Sequence, residues 1–432
     1  MEILPMVSTS HAKHEARGAG FKHLTPTFEA VQTQLHNLSV KLEEEKVGLD
    51  ACLGRIVGAN VISDVDMPPF DRAAMDGYAV NAEDTYSAST ATPITLRLVD
   101  ELHIEDTPRT EVGKNQCASI VTGGQLPIGA TAVVMVEYTK RLSDGVIEVF
   151  SEVRPGENVS RLGEDVSKGT VVLRSGTLIL PQDIGMLTGL GVREVTVVRR
   201  PRVAVLSSGN ELRDHFGSTG KIADVNRPML IAACRNLGCD PIDLGVAIDD
   251  HEAIRTKLLK GLQLADVVLV TAGTSVGPAD IVPKVIDSLG HPGMLVHGIA
   301  MRPSMPTGLA VVDGKAIVSL PGYPVSAYLA FIEIVHPLIA HLLRTQFLPM
   351  PTVRAKLSRR IQGILGSRTY VRARVFGDKE GLVVEPVRTS GAGILSSLVQ
   401  ANGFIIVPEN VEGYEEGEVV DVELFRPKEN ED

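Results

Sequence analysis

The run from Ala265 to Asp280, Ala-Asp-Val-Val-Leu-Val-Thr-Ala-Gly-Thr-Ser-Val-Gly-Pro-Ala-Asp, combines residue types that can hold a phosphate and a metal together. From Asp266 to Thr271, Val and Leu fill consecutive positions, the pattern of a strand buried on both faces. The chain then breaks at Gly273 into a small polar loop with Thr274, Ser275 and Gly277, after which Ile281, Val285, Ile286 and Leu289 follow at helical spacing. A glycine-bearing bend between a buried strand and a helix start presents free backbone N–H groups to an anion. The carboxylate of Asp280 can hold a divalent cation against that anion. An ordinary strand-to-helix connection capped by Asp280 accounts for the same residues, and the loop alone favours neither reading.

More acids sit in comparable places. Glu211, Asp224, Asp249, Asp250 and Asp280 follow predicted strands or lie in loops of one segment. Carboxylates crowded at one sheet edge repel one another, and a magnesium ion bridging them to phosphate oxygens is a natural compensation; exposed helix caps are the plainer alternative. Earlier in the chain, Pro69-Phe-Asp-Arg-Ala-Ala-Met-Asp-Gly-Tyr-Ala79 puts two carboxylates beside a Gly-Tyr turn. In isolation it reads best as a packed turn formed by Asp76. Thr122-Gly-Gly-Gln-Leu-Pro127 and Gly163-Glu-Asp165 follow. Arg302-Pro-Ser-Met-Pro306 precedes Leu320-Pro-Gly-Tyr-Pro-Val-Ser-Ala327, which opens a helix whose free amides and Ser326 would face a second anion. Arg354, Lys356, Arg359, Arg360, Arg368, Arg372 and Arg374 run without an intervening acid. Alternating Arg372 and Arg374 on one strand face usually mark a solvated surface, with a small polyanion as the sharper option.

The elements that must position these residues divide the chain into parts. Residues 1–23 read as a loose lead-in. At 24–62 a helix is predicted with Thr25 as N-cap and Pro26 in its first turn, carrying Phe28, Val31, Leu35 and Leu38 at helical spacing. Residues 63–165 carry short strands between turn residues and form a β domain inserted before 166–199, which returns to pack with 24–62. Strands alternate with helices over 200–347, the grammar of a βαβ sheet whose ligands bind at the carboxyl ends of its strands. Residues 348–432 are again β-rich.

Composition narrows the partners. The chain has 432 residues, 44% of them hydrophobic, so several packed domains are expected. A net charge of −11, no Trp and 4% aromatic residues argue against nucleic acid. Cys52, Cys117, Cys234 and Cys239 form no Cys-x-x-Cys pair and read as core residues of a reducing compartment. The first residues lack an apolar h-region, and no apolar run is expected to reach the ~20 residues of a membrane span. A cytoplasmic location and no membrane partner are the expectations.

Taken in order, Pro-Phe-Asp-x-x-Ala-Met-Asp-Gly-Tyr-Ala (69–79), Thr-Gly-Gly-x-Leu-Pro (122–127), Gly-Glu-Asp (163–165), Ser-Ser-Gly-Asn-Glu-Leu (207–212), Gly-Thr-Ser-Val-Gly-x-x-Asp (273–280) and Leu-Pro-Gly-Tyr-Pro-Val-Ser-Ala (320–327) make a specific set. The set resembles the molybdopterin molybdenumtransferases, the MoeA family that includes the E domain of gephyrin, over roughly 24–427. The resemblance implies a homodimer of elongated subunits. Each would hold a linker and dimerisation domain, an inserted β domain, a three-layer α/β molybdopterin-binding domain and a C-terminal β barrel. It implies insertion of molybdate into adenylylated molybdopterin with Mg2+ and release of AMP, in exchange with other molybdenum-cofactor enzymes. By motif position it implies catalytic roles for Asp71, Thr122, Asp165, Glu211, Asp249 and Asp280, with Asp249 and Asp280 on the metal. Gly273, Thr274, Ser275 and Gly277 would cradle the pyrophosphate. Pro321, Pro324 and Ser326 match motif positions, and Arg302, Arg368 and Ser397 match the oxyanion contacts more loosely.

The departures matter as much. The family usually carries Lys-Pro-Gly-Lys-Pro where this chain has Arg302-Pro-Ser-Met-Pro306, so one point charge becomes a planar fork and the other becomes a thioether. Ala73 stands for a common Ser, Asn210 for a common Asp, and Tyr323 for a common Asn. A tungstate-handling paralogue, a pterin-binding scaffold without turnover, and last the adenylyl-transfer step remain as alternatives.

Overall fold

The computed structural model describes residues 24–143, 145–213, 222–272, 281–378, 381–388 and 391–430. The chain forms two compact units, Met1–Glu43 with Arg199–Asp432, and Glu44–Val198.

The first unit is built on a six-stranded sheet in the order Asp240–Ala247, Arg202–Ser208, Val267–Ala272, Lys315–Pro321, Gly308–Val312, Pro292–His297. The first four strands are parallel, and Gly308–Val312 runs antiparallel to both its neighbours, Lys315–Pro321 and Pro292–His297. Val267–Ala272 is buried at every position, as its unbroken apolar run predicts for a strand covered on both faces. Helices Asn226–Asn236 and His251–Leu264 connect the parallel strands. Asp250 caps the second, its carboxylate accepting from the Ala253 N–H at 2.9 Å. One core cluster ties Leu206, Val268, Val270 and Ile317 to Ile254, Leu258, Val282 and Val285.

The helix opened by the Pro-Gly-Tyr-Pro segment runs as Pro324–Ala330, a π turn Phe331–Val335, and His336–Leu342. Over these 19 residues it is apolar and long enough to cross a bilayer, contrary to the expectation that no run approaches that length. It is instead mostly packed inside the domain, with Val325, Leu329, Phe331, Ile334 and Leu338 buried, as core helices of α/β folds are. The predicted helix near residue 25 forms as Thr27–His36, with Pro26 rather than Thr25 at the cap and no side-chain cap bond. Thr25 instead pairs with Ile299 and donates its N–H to the Gly298 carbonyl at 3.1 Å. This helix belongs to the unit that holds Arg199–Asp432. Gln34, buried on its inner face, donates to the carbonyls of Ala310 at 3.1 Å and Ile317 at 3.3 Å, which fastens it to the α/β sheet.

Beyond residue 350 the strands Arg368–Asp378, Gly381–Arg388, Thr352–Leu357, Val419–Leu424 and Gly403–Val407 pair in that order, and the last closes on the first, giving a five-stranded barrel. Val371, Val375, Val384, Ile405 and Val422 fill it. Arg372 is 1% exposed, not on the solvated face expected for it. Val371, Ala373 and Val375 face the barrel core at every second position, so Arg372 and the exposed Arg374 share the outer side of the strand, where Arg372 is covered and Arg374 is not. Other members of the basic run meet acids, Arg360 at 3.2 Å from Glu415 and Arg354 at 4.0 Å from Asp421.

The second unit holds a six-stranded sheet, Ala132–Met135, Gly77–Val80, Gln116–Ile120, Ile94–Leu102, Val146–Val149 and Thr139–Ser143. Beside it, Cys52, Val57, Leu173, Ile179, Leu187 and Val195 form a separate core in which 47–61 packs with 171–197. The four cysteines are free and buried, and burial pushes the Cys117 and Cys234 thiols up to about 12.

Candidate functional site

Side chains at the ends of three parallel strands converge on an open cavity of about 820 Å³ in the first unit. Arg202–Ser208 delivers Ser208, Val267–Ala272 delivers Thr271, and Lys315–Pro321 delivers Pro321. This is where a parallel α/β sheet leaves its carboxyl-end crevice. Ser207 and Thr271 share a hydroxyl hydrogen bond of 2.9 Å that holds the two strand ends together below the cavity.

Asp249 is tied to the cavity-lining Ser208, and Glu211 lines the cavity itself. The Ser208 hydroxyl donates to Asp249 Oδ1 at 2.7 Å, and the Asn210 N–H donates to Oδ2 at 3.1 Å. The Asp249 N–H returns a bond to Asn210 Oδ1 at 3.1 Å. The loop after one strand is thus latched to the loop after its neighbour, and Asn210, the departure from a common Asp, is part of the latch. Glu211 lines the cavity and folds over Gly209, where an added Cβ would lie 2.8 Å from its carboxylate. Asp280, Gly273, Thr274, Ser275 and Gly277 lie outside the described residues. Among the described residues no group of three or more His, Cys, Asp or Glu is clustered as a metal site.

The opposite wall comes from 302–306 and 321–326. Arg302 is partly buried, lines the cavity, and has a buried Nε with no hydrogen-bond partner among the described residues. Met305 lines the same wall. Between them Ser304 takes φ 106°, a left-handed value that favours glycine, and glycine is what the resembling family carries there. Its hydroxyl donates to the Ser326 carbonyl at 2.7 Å, which anchors the strained bend to the helix start. Pro321, Pro324 and Ser326 all line the cavity, so these expected residues are brought together with Arg302 and Glu211.

Arg368 and Ser397 sit near this wall without lining the cavity. Arg368 belongs to the barrel strand that pairs with Met301-Arg302 and lies 3.4 Å from Glu409. Burial alone would lower its pKa, but Tyr370 and Glu409 outweigh that and hold the guanidinium charged. Ser397 is 2% exposed and donates to the Ile394 carbonyl at 2.6 Å, one residue before the cavity-lining Leu395.

In the second unit three separated motifs fold into one exposed rim. Asp71 Oδ1 accepts the Leu162 N–H at 2.7 Å, and Oδ2 lies 3.7 Å from Arg161. The next acid, Asp76, takes both the N–H and the hydroxyl of Thr122 at 2.6 Å. The Thr122 hydroxyl and then its N–H hold the Asp76 carboxyl below its usual range. Asp165 is exposed, its N–H bonded to the Met67 carbonyl at 3.0 Å. Gly77 admits no side chain, since a Cβ would stand 1.9 Å from the Val134 carbonyl oxygen of the adjoining strand. Asp71, Thr122 and Asp165 are therefore neighbours by fold, and Asp76 is the acid that binds Thr122.

Sequence reasoning missed Ser208, Thr271 and Asn226 as cavity residues. Asn226 is 7% exposed and its Nδ2 donates to the Gly322 carbonyl at 2.7 Å, which fixes the amide's orientation. Its Oδ1 is buried without a partner among the described residues. The available signal was its position, two residues past Asp224 at the start of a helix.

Three family descriptions match successive parts of the chain. They are the MoeA N-terminal region (domain I and II) over 25–191, a probable molybdopterin binding domain over 204–341, and the MoeA C-terminal region (domain IV) over 354–425. A putative molybdopterin biosynthesis protein of Methanocaldococcus jannaschii is 36% identical, covering 94% of this chain and 99% of its own. A molybdopterin molybdenumtransferase of Bacillus subtilis is 32% identical over 93% of this chain and 94% of its own. The solved structure of a molybdopterin biosynthesis MoeA protein from Pyrococcus horikoshii aligns with a TM-score of 0.81 at 33% identity, covering 93% of this chain and all of that one.

Proposed function

Since the chain belongs to the MoeA family of molybdenum-cofactor biosynthesis, we propose that it is a molybdopterin molybdenumtransferase that inserts molybdate into adenylylated molybdopterin and releases AMP. The observation that carries this reading is the cavity at the strand ends, where Glu211, Arg302, Pro321 and Ser326 converge from motifs spread over more than a hundred residues. Arg302 supplies a fixed cation for an oxyanion, and the dipole of the following helix adds positive potential beside Ser326. The Ser304–Ser326 bond holds these two groups in register. Holding both reactants at fixed separation, rather than forming a covalent intermediate, is the main contribution available to such side chains.

Magnesium fits the donor set in part. Asp249 offers a hard carboxylate whose two oxygens each keep lone pairs beyond the bonds from Ser208 and Asn210, and magnesium is commonly held by one or two carboxylates with phosphate and water. Asp249, with Asp280, would hold it. When bound, it would neutralise charge building on the phosphate oxygens of the departing AMP. The Ser208 and Asn210 donors orient the Asp249 carboxylate before any ion arrives.

Incubation with adenylylated molybdopterin, Mg2+ and molybdate, followed by chromatography for AMP, tests the reading. AMP release that stops on chelation of the metal is expected; intact substrate after prolonged incubation with both ions rejects it. Met305, standing in the cavity where the family usually has a lysine, favours a second reading, a pterin-binding protein without turnover. Substrate bound and retained unchanged, in the protein and in its Met305→Lys variant alike, would establish that alternative. Tungstate in place of molybdate separates the remaining option of a tungstate-handling paralogue.

A further inference from the structure

Tyr323 lines the cavity yet is 65% exposed, in a chain with no Trp and only 4% aromatic residues. Two of its ring carbons lie close over Gly393, where an added Cβ would come within 3.1 Å of Cδ1 and 3.3 Å of Cε1. The residue holds an extended backbone immediately before Pro324, so the bend that carries the ring is rigid on its C-terminal side. On the other side the Asn226 amide donates to the Gly322 carbonyl at 2.7 Å, and the Val325 N–H donates to the Ala392 carbonyl at 3.1 Å. A large aromatic is thus held in place with much of its surface uncovered. Ile222, 65% exposed, and Met305 add apolar surface to the same cavity. Exposing this much apolar area at a fixed bend is unfavourable in water and suits a flat partner that covers it.

Resting on the reading above, we propose that Tyr323 is a stacking face for a flat heterocycle of the substrate, and that it sets how tightly this chain grips that ring. Adenylylated molybdopterin carries two such rings, a pterin and an adenine, and either presents a π face to a tyrosine. The phenol ring stands where Asn is common in the family, as a variant seen within it. Stacking of a heterocycle on an aromatic side chain is lost when the ring is removed and kept when only the hydroxyl is removed.

The test compares the wild-type protein with Tyr323→Phe and Tyr323→Asn, titrated separately with molybdopterin and with AMP. Pterin fluorescence reads the first ligand cleanly because the chain has no Trp, and calorimetry reads the second. Tyr323→Phe is expected to bind like wild type, while Tyr323→Asn binds one ligand about ten-fold more weakly at unchanged Tm. Loss confined to molybdopterin identifies the pterin as the stacked ring, and loss confined to AMP identifies the adenine. Unchanged affinity for both ligands in Tyr323→Asn overturns the proposal. So does equal loss in the Phe and Asn variants, which would assign the effect to the hydroxyl, or equal loss of both ligands, which would mean a distorted bend. Failure of AMP release in the wild type would sink the proposed reaction while leaving this binding result to stand by itself.

Discussion

At the scale of single residues, the departures from the family pattern have structural consequences of their own. Ser304 shows this best. Its φ of 106° is unfavourable for any side chain with a Cβ, and the serine is retained with its hydroxyl on the Ser326 carbonyl at 2.7 Å. Two effects oppose each other here, a strain of order 1 kcal/mol and a buried hydrogen bond of about 1 kcal/mol. Ser304→Ala keeps the strain and loses the bond, leaving the Ser326 carbonyl short of a donor, and is expected to destabilise the fold by about 1–2 kcal/mol. Ser304→Gly loses the same bond but releases the strain, so it is expected to lose less. Urea denaturation of the two variants measures the difference directly. Alanine as stable as glycine at this position would mean that the bend carries no strain.

At the scale of elements, the continuous π turn Phe331–Val335 joins the helix opening at the cavity to the helix that ends the α/β domain. Glu333 on this turn is partly buried near Tyr370, Arg368 and Glu423 of the barrel. Burial pushes its carboxyl above the ordinary 4.5, against the pull of the Tyr370 hydroxyl and Arg368. A carboxyl with a raised folded pKa binds its proton longer in the folded state than in the unfolded one. Its contribution is therefore fully present below the unfolded pKa and is lost as pH rises through the folded value. Glu333→Gln, which stays neutral throughout, is expected to match wild type near pH 4 and to melt at higher temperature than wild type at pH 8. Parallel melting curves across that range, with no widening gap, would show that Glu333 keeps an ordinary pKa. Elements of this kind also separate what sequence reading can reach from what it cannot. Val267–Ala272 was legible because a strand buried on both faces needs an unbroken apolar run. Helix Thr27–His36 was legible from its own spacing, whereas its place on the sheet rests on Gln34 reaching carbonyls 276 and 283 residues away, for which local periodicity carries no signal. Arg372 was misread because alternation places it on the outer side of its strand but carries no signal of what covers that side, and there it is 1% exposed. In the site, Arg302, Pro321, Pro324 and Ser326 were recoverable from motifs, but Asn226 was not, since its role depends on the Gly322 carbonyl meeting it across the fold.

At the scale of the whole molecule, the question is how a chain with net charge −11 serves an anionic substrate and what assembly it adopts. The cations are local: Arg302 stands in the cavity wall, and Arg368 is held charged in the adjoining barrel strand, so attraction acts at short range where counter-ions are excluded. The homodimer that the family resemblance implies has a candidate contact in the second unit. The Gly54 N–H donates to the Ile179 carbonyl at 2.9 Å and Ile56 pairs with Leu178, which sets Leu53 beside Leu178 and Leu180. These three leucines are 54%, 39% and 42% exposed although Ile179 between them is fully buried, so the segment turns apolar side chains outward as well as inward. Exposed apolar side chains grouped on a folded surface commonly mark a protein contact. Light scattering behind size exclusion is expected to give twice the chain mass of 46.2 kDa. The double variant Leu178→Asp, Leu180→Asp is expected to give the single-chain mass with an unchanged far-ultraviolet dichroism spectrum. Each aspartate would have to leave water to enter the contact, while in the isolated chain it stays solvated, so the substitution acts on association and not on folding. A wild type at the single-chain mass at micromolar concentration would remove the dimer from the account. A double variant that still doubles would move the contact elsewhere on the surface.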